Sequence, residues 1–410
     1  MKEKLKKLIK KPILIVLIII SVLYLPKGLA APPEGLERVH AITIAVDITE
    51  DGQYDVGILA FVSFQSQQYR ETYFIINATA DSLANAVDKL GALAGKKIAL
   101  THTSALVFSD KIAEMGLIEP LDYFFRDKNL GGDTHLIVTY GNAKDIIELE
   151  QNAIDKVGIK LEELSVFNDK YVYYQETNLE SFYSGYFSPV KTSIISIVKQ
   201  NPEALAQLEQ SSGSSSGTGV SSGQQKNFVQ PESNLAVFYD GKMVTVLSGS
   251  EIRGSTWVNP ELSSVNLKID NVFDENLNFI DASIIFNVET NLVKTKAYFE
   301  RGRPIIEYNL LLGLKLDEVL QENIEEKNFY VDVNFLSETV KLKIENKVKQ
   351  EFASAMKKMI ENKADVIGIY SIFAEQQHAK FLNWYENLEN PEEFLGRIEY
   401  CMTVLPVIAY

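Results

Sequence analysis

Six lysines within eleven residues, followed by thirteen almost uninterrupted apolar ones, constrain this chain more than any later feature. Lys2, Lys4, Lys6, Lys7, Lys10 and Lys11 stand against one acid, Glu3, and Ile13 to Leu25 reads ILIVLIIISVLYL. A basic n-region, an apolar h-region and the small residues of Gly28-Leu29-Ala30-Ala31 form the pattern of an export signal. The folded body is therefore expected after residue 33 and across a membrane from the lysines. Helical residues from Pro12 to Leu25 reach about 21 Å at ~1.5 Å each. A hydrocarbon core is about 30 Å thick. Residues 1–31 are thus either a cleaved signal peptide or a retained N-terminal anchor, and length leaves both open. Leu29-Ala30-Ala31 also has the form of a lipobox, but Pro32 occupies the position of the lipidated cysteine. A thioether needs a thiolate, so lipid attachment at this position is chemically excluded.

The 410-residue chain is long enough for two or three domains after this segment. Its net charge is −15, and without the first eleven residues 34 basic side chains face 54 acidic ones, a net −20. A body this acidic argues against nucleic acid and against adhesion to anionic lipid headgroups. The single cysteine, Cys401, makes no intramolecular disulfide. It is expected as a small residue in a terminal strand.

Alternation and turn chemistry order the rest. Residues 36–64 read as two strands about Asp51-Gly52, a hairpin signal. A third strand is expected over Tyr69 to Asn77, then a helix over Asp81 to Leu90 capped by Asp81 or Ser82. Lys97 to Phe108 reads as one strand and Ser109 to Phe125 as one helix. Thr134 to Tyr140 is the next strand, and Asn142 caps a helix that follows. Strands alternating with single helices imply a mixed α/β layer. Residues 209–227, EQSSGSSSGTGVSSGQQKN, cannot bury apolar surface and form a flexible linker or loop, the clearest internal boundary. Beyond it, Asn234 to Leu247 reads as a hairpin about Asp240-Gly241. Short strands follow at 264–268, 283–287, 293–299 and 305–314. A long helix from Ser337 to about Lys363 buries Val340, Ile344, Val348, Phe352, Met356 and Met359 or Ile360. A helix over Ala374 to Leu388 carries Trp384 and Tyr385, and Arg397 to Tyr410 ends in a strand interrupted by Pro406. The expected fold class is α+β or mixed α/β, with several domains. These are an N-terminal α/β domain at 34–200, a linker at 201–230 and an α+β region at 231–410 that could split near 285.

No catalytic constellation emerges. Gly213, Ser215 and Gly217 match the G-x-S-x-G elbow but lie in the Gly/Ser tract, without the strand and helix that the elbow needs. His40, His102, His135 and His378 are scattered and form no metal-ligand spacing. His102 is expected in a strand as a structural histidine. Glu251, Arg253 and Trp257 form a compact polar and aromatic cluster. It reads either as a loop salt bridge beside a packed indole or as a partner contact. No cofactor or metal is expected.

Several stretches resemble one family in order and spacing. They begin with Ile42-Thr-Ile-Ala-Val-Asp47, Gly52-Gln-Tyr-Asp-Val56 and the block from Leu83 to Phe108 with Thr101-His102-Thr103. Leu121-Asp-Tyr-Phe-Phe-Arg-Asp127 and Gly141-Asn-Ala-Lys-Asp-Ile-Ile147 follow. In the second half come Ala236-Val-Phe-Tyr-Asp-Gly-Lys242, Glu251-Ile-Arg-Gly254 with Trp257, and Ala364-Asp365-Val-Ile-Gly368 with Trp384. Together they resemble the Ger(x)C family, the C subunits of spore germinant receptors. The resemblance implies a non-enzymatic protein on the outer face of the spore inner membrane, assembled with two membrane-spanning subunits. Members of that family are typically lipoproteins, and Pro32 departs from their pattern. Glu251, Arg253, Trp257, Phe125, Arg126 and Asp127 are the candidate partner contacts. An exported cell-wall hydrolase and an exported solute-binding protein are the alternatives.

Overall fold

The structure is a computed structural model describing residues 38–63, 71–126, 130–157, 177–200, 229–260, 262, 265–274, 279–321 and 338–408. The N-terminal apolar run, Asp127 and the Gly213 to Gly217 motif lie outside the described residues.

The chain enters a nine-stranded sheet through its most buried strand. β1 (Arg38–Ile48) is buried along both faces from Ala41 to Asp47. It has antiparallel β2 (Tyr54–Ser63) on one side and parallel strands on the other. A strand covered on both faces reads as an apolar run rather than an alternation, and Ala41 to Val46 is apolar on both faces but for Thr43. Gly52 at φ 76° makes the expected turn, and β3 (Glu71–Ala80) continues the meander. Ser82, not Asp81, caps α1 (Leu83–Ala94) by accepting from the Asn85 N–H, and Gly95 closes it in the left-handed conformation.

Two expectations in the next segment are corrected. Lys97 to Phe108 is not one strand. β4 (Lys97–Ala99) pairs with residues 38–40 of β1, and β5 (Ala105–Ser109) pairs with 43–46. Three more residues stand between these pairings on the β4–β5 side than on β1, and they loop out as a turn closed by Thr103 N–H to Leu100 O. His102 is therefore in an exposed turn and not in a strand. The expected helix from Ser109 is also two, α2 (Asp110–Met115) and α3 (Ile118–Arg126). Gly116 adopts φ 126° between them, a conformation that side chains resist. The following Leu117 N–H leaves the helix to donate to Gly241 O at 2.8 Å.

β6 (His135–Thr139), α4 (Ala143–Val157), α5 (Leu179–Phe187) and β7 (Thr192–Gln200) complete a parallel centre of β1, β5, β6 and β7. β8 (Val229–Tyr239) and β9 (Lys242–Ser248) extend it antiparallel, giving the order β3-β2-β1-β5-β6-β7-β8-β9 with β4 beside β1. Asp240 and Gly241, at φ 50° and 78°, form the expected two-residue hairpin turn. Gln200 pairs directly with Val229. The Gly/Ser-rich tract thus joins two neighbouring strands of one sheet. α1, α2, α3 and α5 cover one face against Ile44, Val46, Leu106, Phe108, Leu136 and Val138. α4 covers the other against Ala45, Ala105, Val107 and Ile137.

After the short helix α6 (Gly249–Thr256), a second sheet has the order β10-β11-β12-β13. β10 is Val265–Asp274, β11 Phe279–Glu300, β12 Arg303–Gln321 and β13 Glu399–Ile408. The separate strands expected at 283–287 and 293–299 are one 22-residue strand, running unbroken past residue 285. α7 (Glu338–Glu361) lays the expected stripe, Val340 to Met359, on this sheet. The helix expected over 374–388 is two, α8 (Ile369–Gln376) and α9 (His378–Glu386), broken at Gln377 with ψ 32°. A 3-10 turn at Pro391–Arg397 leads into β13, parallel to β12. β13 runs through Pro406 without interruption because it is an edge strand, where a missing N–H is tolerated. Cys401 lies in β13 and is exposed.

Candidate interaction site

The five described residues among those singled out as partner contacts fall in two places of opposite character. Glu251 and Arg253 lie in α6 and Trp257 is its C-cap, so the expected loop is a helix and its end. Its start is a capping box, Ser248 with Glu251 three residues on. The Ser248 N–H donates to Glu251 Oε2 at 2.8 Å, its hydroxyl at 2.9 Å, and Lys358 Nζ from α7 at 2.8 Å. Burial pushes the Glu251 carboxyl up, but Lys358 and Ser248 outweigh it and hold it below the usual range.

α6 lies directly on α7. A Cβ on Gly254 would stand 2.1 Å from the carbonyl oxygen of Glu351 and 3.0 Å from Ala355 Cβ, so glycine is required by contact rather than by dihedral. Glu351 receives Arg253 Nη2 at 2.6 Å, Arg253 Nε at 3.3 Å and the Trp257 indole Nε1–H at 3.0 Å. The Glu351 side chain is 6% exposed and Trp257 is fully buried. A carboxylate in the buried stripe of a helix is tolerable only when its lone pairs are met, and these donors meet them. Asn291 Nδ2 of β11 donates to Trp257 O at 2.9 Å. This cluster is the joint between the first sheet's last hairpin and the second sheet's long helix. In this arrangement Trp257 offers no surface to a partner. The sequence signal for it was the capping box together with the E-x-R-G-x-x-W spacing. Glu351, 94 residues beyond Trp257, carried none.

A second seam is built from Ala364 to Gly368. The Asp365 N–H donates to Thr192 Oγ1 at the start of β7, 3.0 Å away. The Asp365 carboxylate accepts from the Ile369 and Tyr370 N–H groups at 2.8 and 2.7 Å, capping α8. Its burial pushes it up to about 6 despite those donors. The Tyr385 hydroxyl donates to Pro189 O across the same seam at 3.3 Å. A third pairing lies inside the first sheet. Asp47 at the end of β1 accepts from the Ala143 and Lys144 N–H groups at 3.0 and 3.3 Å, capping α4 from a distant strand. Lys144 Nζ then reaches Asp55 at 2.5 Å.

Phe125 and Arg126 are the surface pair. Arg126, at the end of α3, is exposed and ion-paired with Asp122 at 2.6 Å. Phe125 is 57% exposed, and its ring centroid lies 4.6 Å from that of Tyr183 on α5. Tyr183 stacks on Phe187 at 5.8 Å, and Tyr186 meets Phe187 edge-on at 5.0 Å. Phe187 is 74% exposed and Tyr183 is buried, its hydroxyl pushed up to about 12, first by burial and then by Asp122. These four rings form an aromatic ledge. Phe187 was not singled out in the sequence, since 62 residues separate it from Phe125 and nothing local links the two.

The four histidines do not gather at one point. His40 and His102 meet edge to face at 4.9 Å, while His135 opens β6 and His378 opens α9. Among the described residues, no three His, Cys, Asp or Glu side chains group as a metal site would. An open cleft of about 640 Å³ borders Arg303, Trp384, Asn387, Arg397 and Glu399, with Arg303 paired to Glu399 at 3.0 Å.

Comparison with known proteins places this architecture. Residues 36–200 match the family described as spore germination protein, N-terminal domain, and residues 233–396 match spore germination B3/GerAC like, C-terminal. No curated protein matches the chain significantly in sequence. The crystal structure of the GerBC protein is similar in fold at 15% identity, with a TM-score of 0.50, covering 90% of this chain and 97% of that one. With both family domains matched in order over most of its length, the chain belongs to the GerAC-like family of spore germination proteins.

Proposed function

We propose that this protein is a non-enzymatic, membrane-associated subunit of a spore germinant receptor that acts through contacts with two membrane-spanning subunits. The observation carrying this reading is the match of both family domains, in order, over residues 36–200 and 233–396. The side chains at the family-like motifs agree with it. Glu251, Arg253, Trp257 and Asp365 are engaged in seams, and Asp47 in a helix cap, rather than lining a reactive cleft. Among the described residues the two sheets differ in strand number and direction, unlike the paired similar lobes that the solute-binding alternative expects.

Among the described residues no helix is long and apolar enough to cross a membrane. Membrane association therefore rests on the run from Ile13 to Leu25, retained as an anchor, since Pro32 leaves no thiol for a lipid. Phe125 and Arg126 remain the exposed contact candidates. The test is expression in sporulating cells, fractionation and determination of the N-terminus. A chain in the membrane fraction beginning at Met1 or Lys2 and co-purifying with two polytopic proteins is the expected result. A soluble chain beginning near Ala31 that captures neither would overturn the reading.

A further inference from the structure

The aromatic ledge lies at the end of the first sheet where the chain enters it. β1, β5 and β6 are parallel neighbours, with Thr43 opposite Ala105 and Ala105 opposite His135. Two strand spacings of about 4.8 Å therefore separate β1 from β6. Arg38 begins β1 five residues before Thr43, beyond the level at which β6 starts. α3 delivers Phe125 shortly before β6, and α5 begins at Asn178, which bridges to His135. α1 ends at the same edge, because Lys97 of the following strand pairs with Arg38. This edge accordingly exposes Leu93 at 64%, Phe125 at 57% and Phe187 at 74%, beside the cations Arg38 and Lys97. Twelve residues separate Leu25, the last of the apolar run, from Arg38. Fully extended, they reach no more than about 45 Å.

We propose that Phe125 and Phe187, backed by the buried Tyr183, rest on the lipid bilayer with their rings in the headgroup–acyl boundary, and so fix how the body stands on the membrane. The inference rests on the anchored reading above and adds an orientation to it. Exposed Phe and Leu side chains suit that boundary. The tether joins the body at this edge, while the β1–β2 turn at Glu50, twelve residues on from Arg38, lies about 40 Å away along the sheet.

The experiment uses the full chain with Cys401→Ser, reconstituted into phosphatidylethanolamine and phosphatidylglycerol vesicles. A nitroxide is placed at Phe187→Cys or, as control, at Glu50→Cys, and vesicle flotation is scored beside accessibility to oxygen and to a nickel chelate. The label at 187 is expected about 5–10 Å below the headgroups, with the label at 50 in water. A chain that floats with its 187 label in water overturns the ledge proposal and leaves the anchored reading standing. A label shielded from both reagents, with spin coupling removed by unlabelled chain, means that a second copy covers the ledge and also overturns it. A chain that does not float overturns both.

Discussion

Glu351 is the residue on which the two halves of the molecule depend. It is nearly buried, and Arg253 and Trp257 both donate to it. Removing one partner of such a group strands the other in a poor dielectric. Glu351→Ala is therefore expected to cost about 3–5 kcal/mol, read as a lower midpoint in urea. Gly254 makes a sharper test of the same contact. Gly254→Ala drives a methyl into the Glu351 backbone and should cost several-fold more than Gly249→Ala in the same helix, where nothing stands within 4 Å. Asp365 supplies a pH signature. Its folded-state carboxyl is raised to about 6 from an ordinary 3.8 by burial. Between these values the folded state holds more protons than the unfolded one, so this group makes stability rise as pH falls from about 6 toward 4. Asp47, also raised by burial, acts in the same sense. Asp365→Asn should remove its part of that slope in denaturation midpoints taken across the window.

At the scale of elements, some helix starts are set by neighbouring residues and others from far along the chain. Ser82 and Asn178 cap their own helices, and those starts are visible in sequence. α4 is capped by Asp47 from a strand 96 residues earlier, and α3 begins where Gly241 draws the Leu117 N–H out of α2. The periodic apolar pattern across 109–125 therefore reads as one helix although the chain makes two. A pattern records which side faces the core but not where a tertiary hydrogen bond interrupts it. β7 and β8 give the complementary case. Composition marks the tract between them as a boundary, yet their register closes at Gln200 and Val229. Replacing residues 201–228 by an Asn-Gly turn should then leave the circular dichroism and melting temperature close to those of the full chain. Closing a shorter loop costs less entropy, about 0.6 kcal/mol per halving of length.

For the whole molecule, the nine-stranded sheet is completed by strands that lie beyond the Gly/Ser tract. A fragment of residues 38–260 keeps every strand of that sheet and is expected to unfold cooperatively in urea. A fragment of 38–200 exposes the β7 edge, with Ile195 and Ile197 stripped of β8, and is expected to aggregate on gel filtration. Equal behaviour of the two would contradict the role given to β8 and β9.

The sequence by itself determined the alternation of strands and helices, the turns at Gly52 and Asp240-Gly241, the buried stripe of α7 and the order of family-like motifs. These are local matters, governed by the period of apolar side chains and by which residues tolerate positive φ. Only the tertiary structure decided what the motifs do. Glu251, Arg253 and Trp257 could be read from sequence either as surface or as core, and Glu351, their common partner, stands in a helix some 94 residues away from Trp257. Distance in sequence likewise hid the ledge, because Phe125 and Phe187 are joined through Tyr183. Contacts between remote segments are fixed by the packing of the whole chain, and no short window of residues contains them.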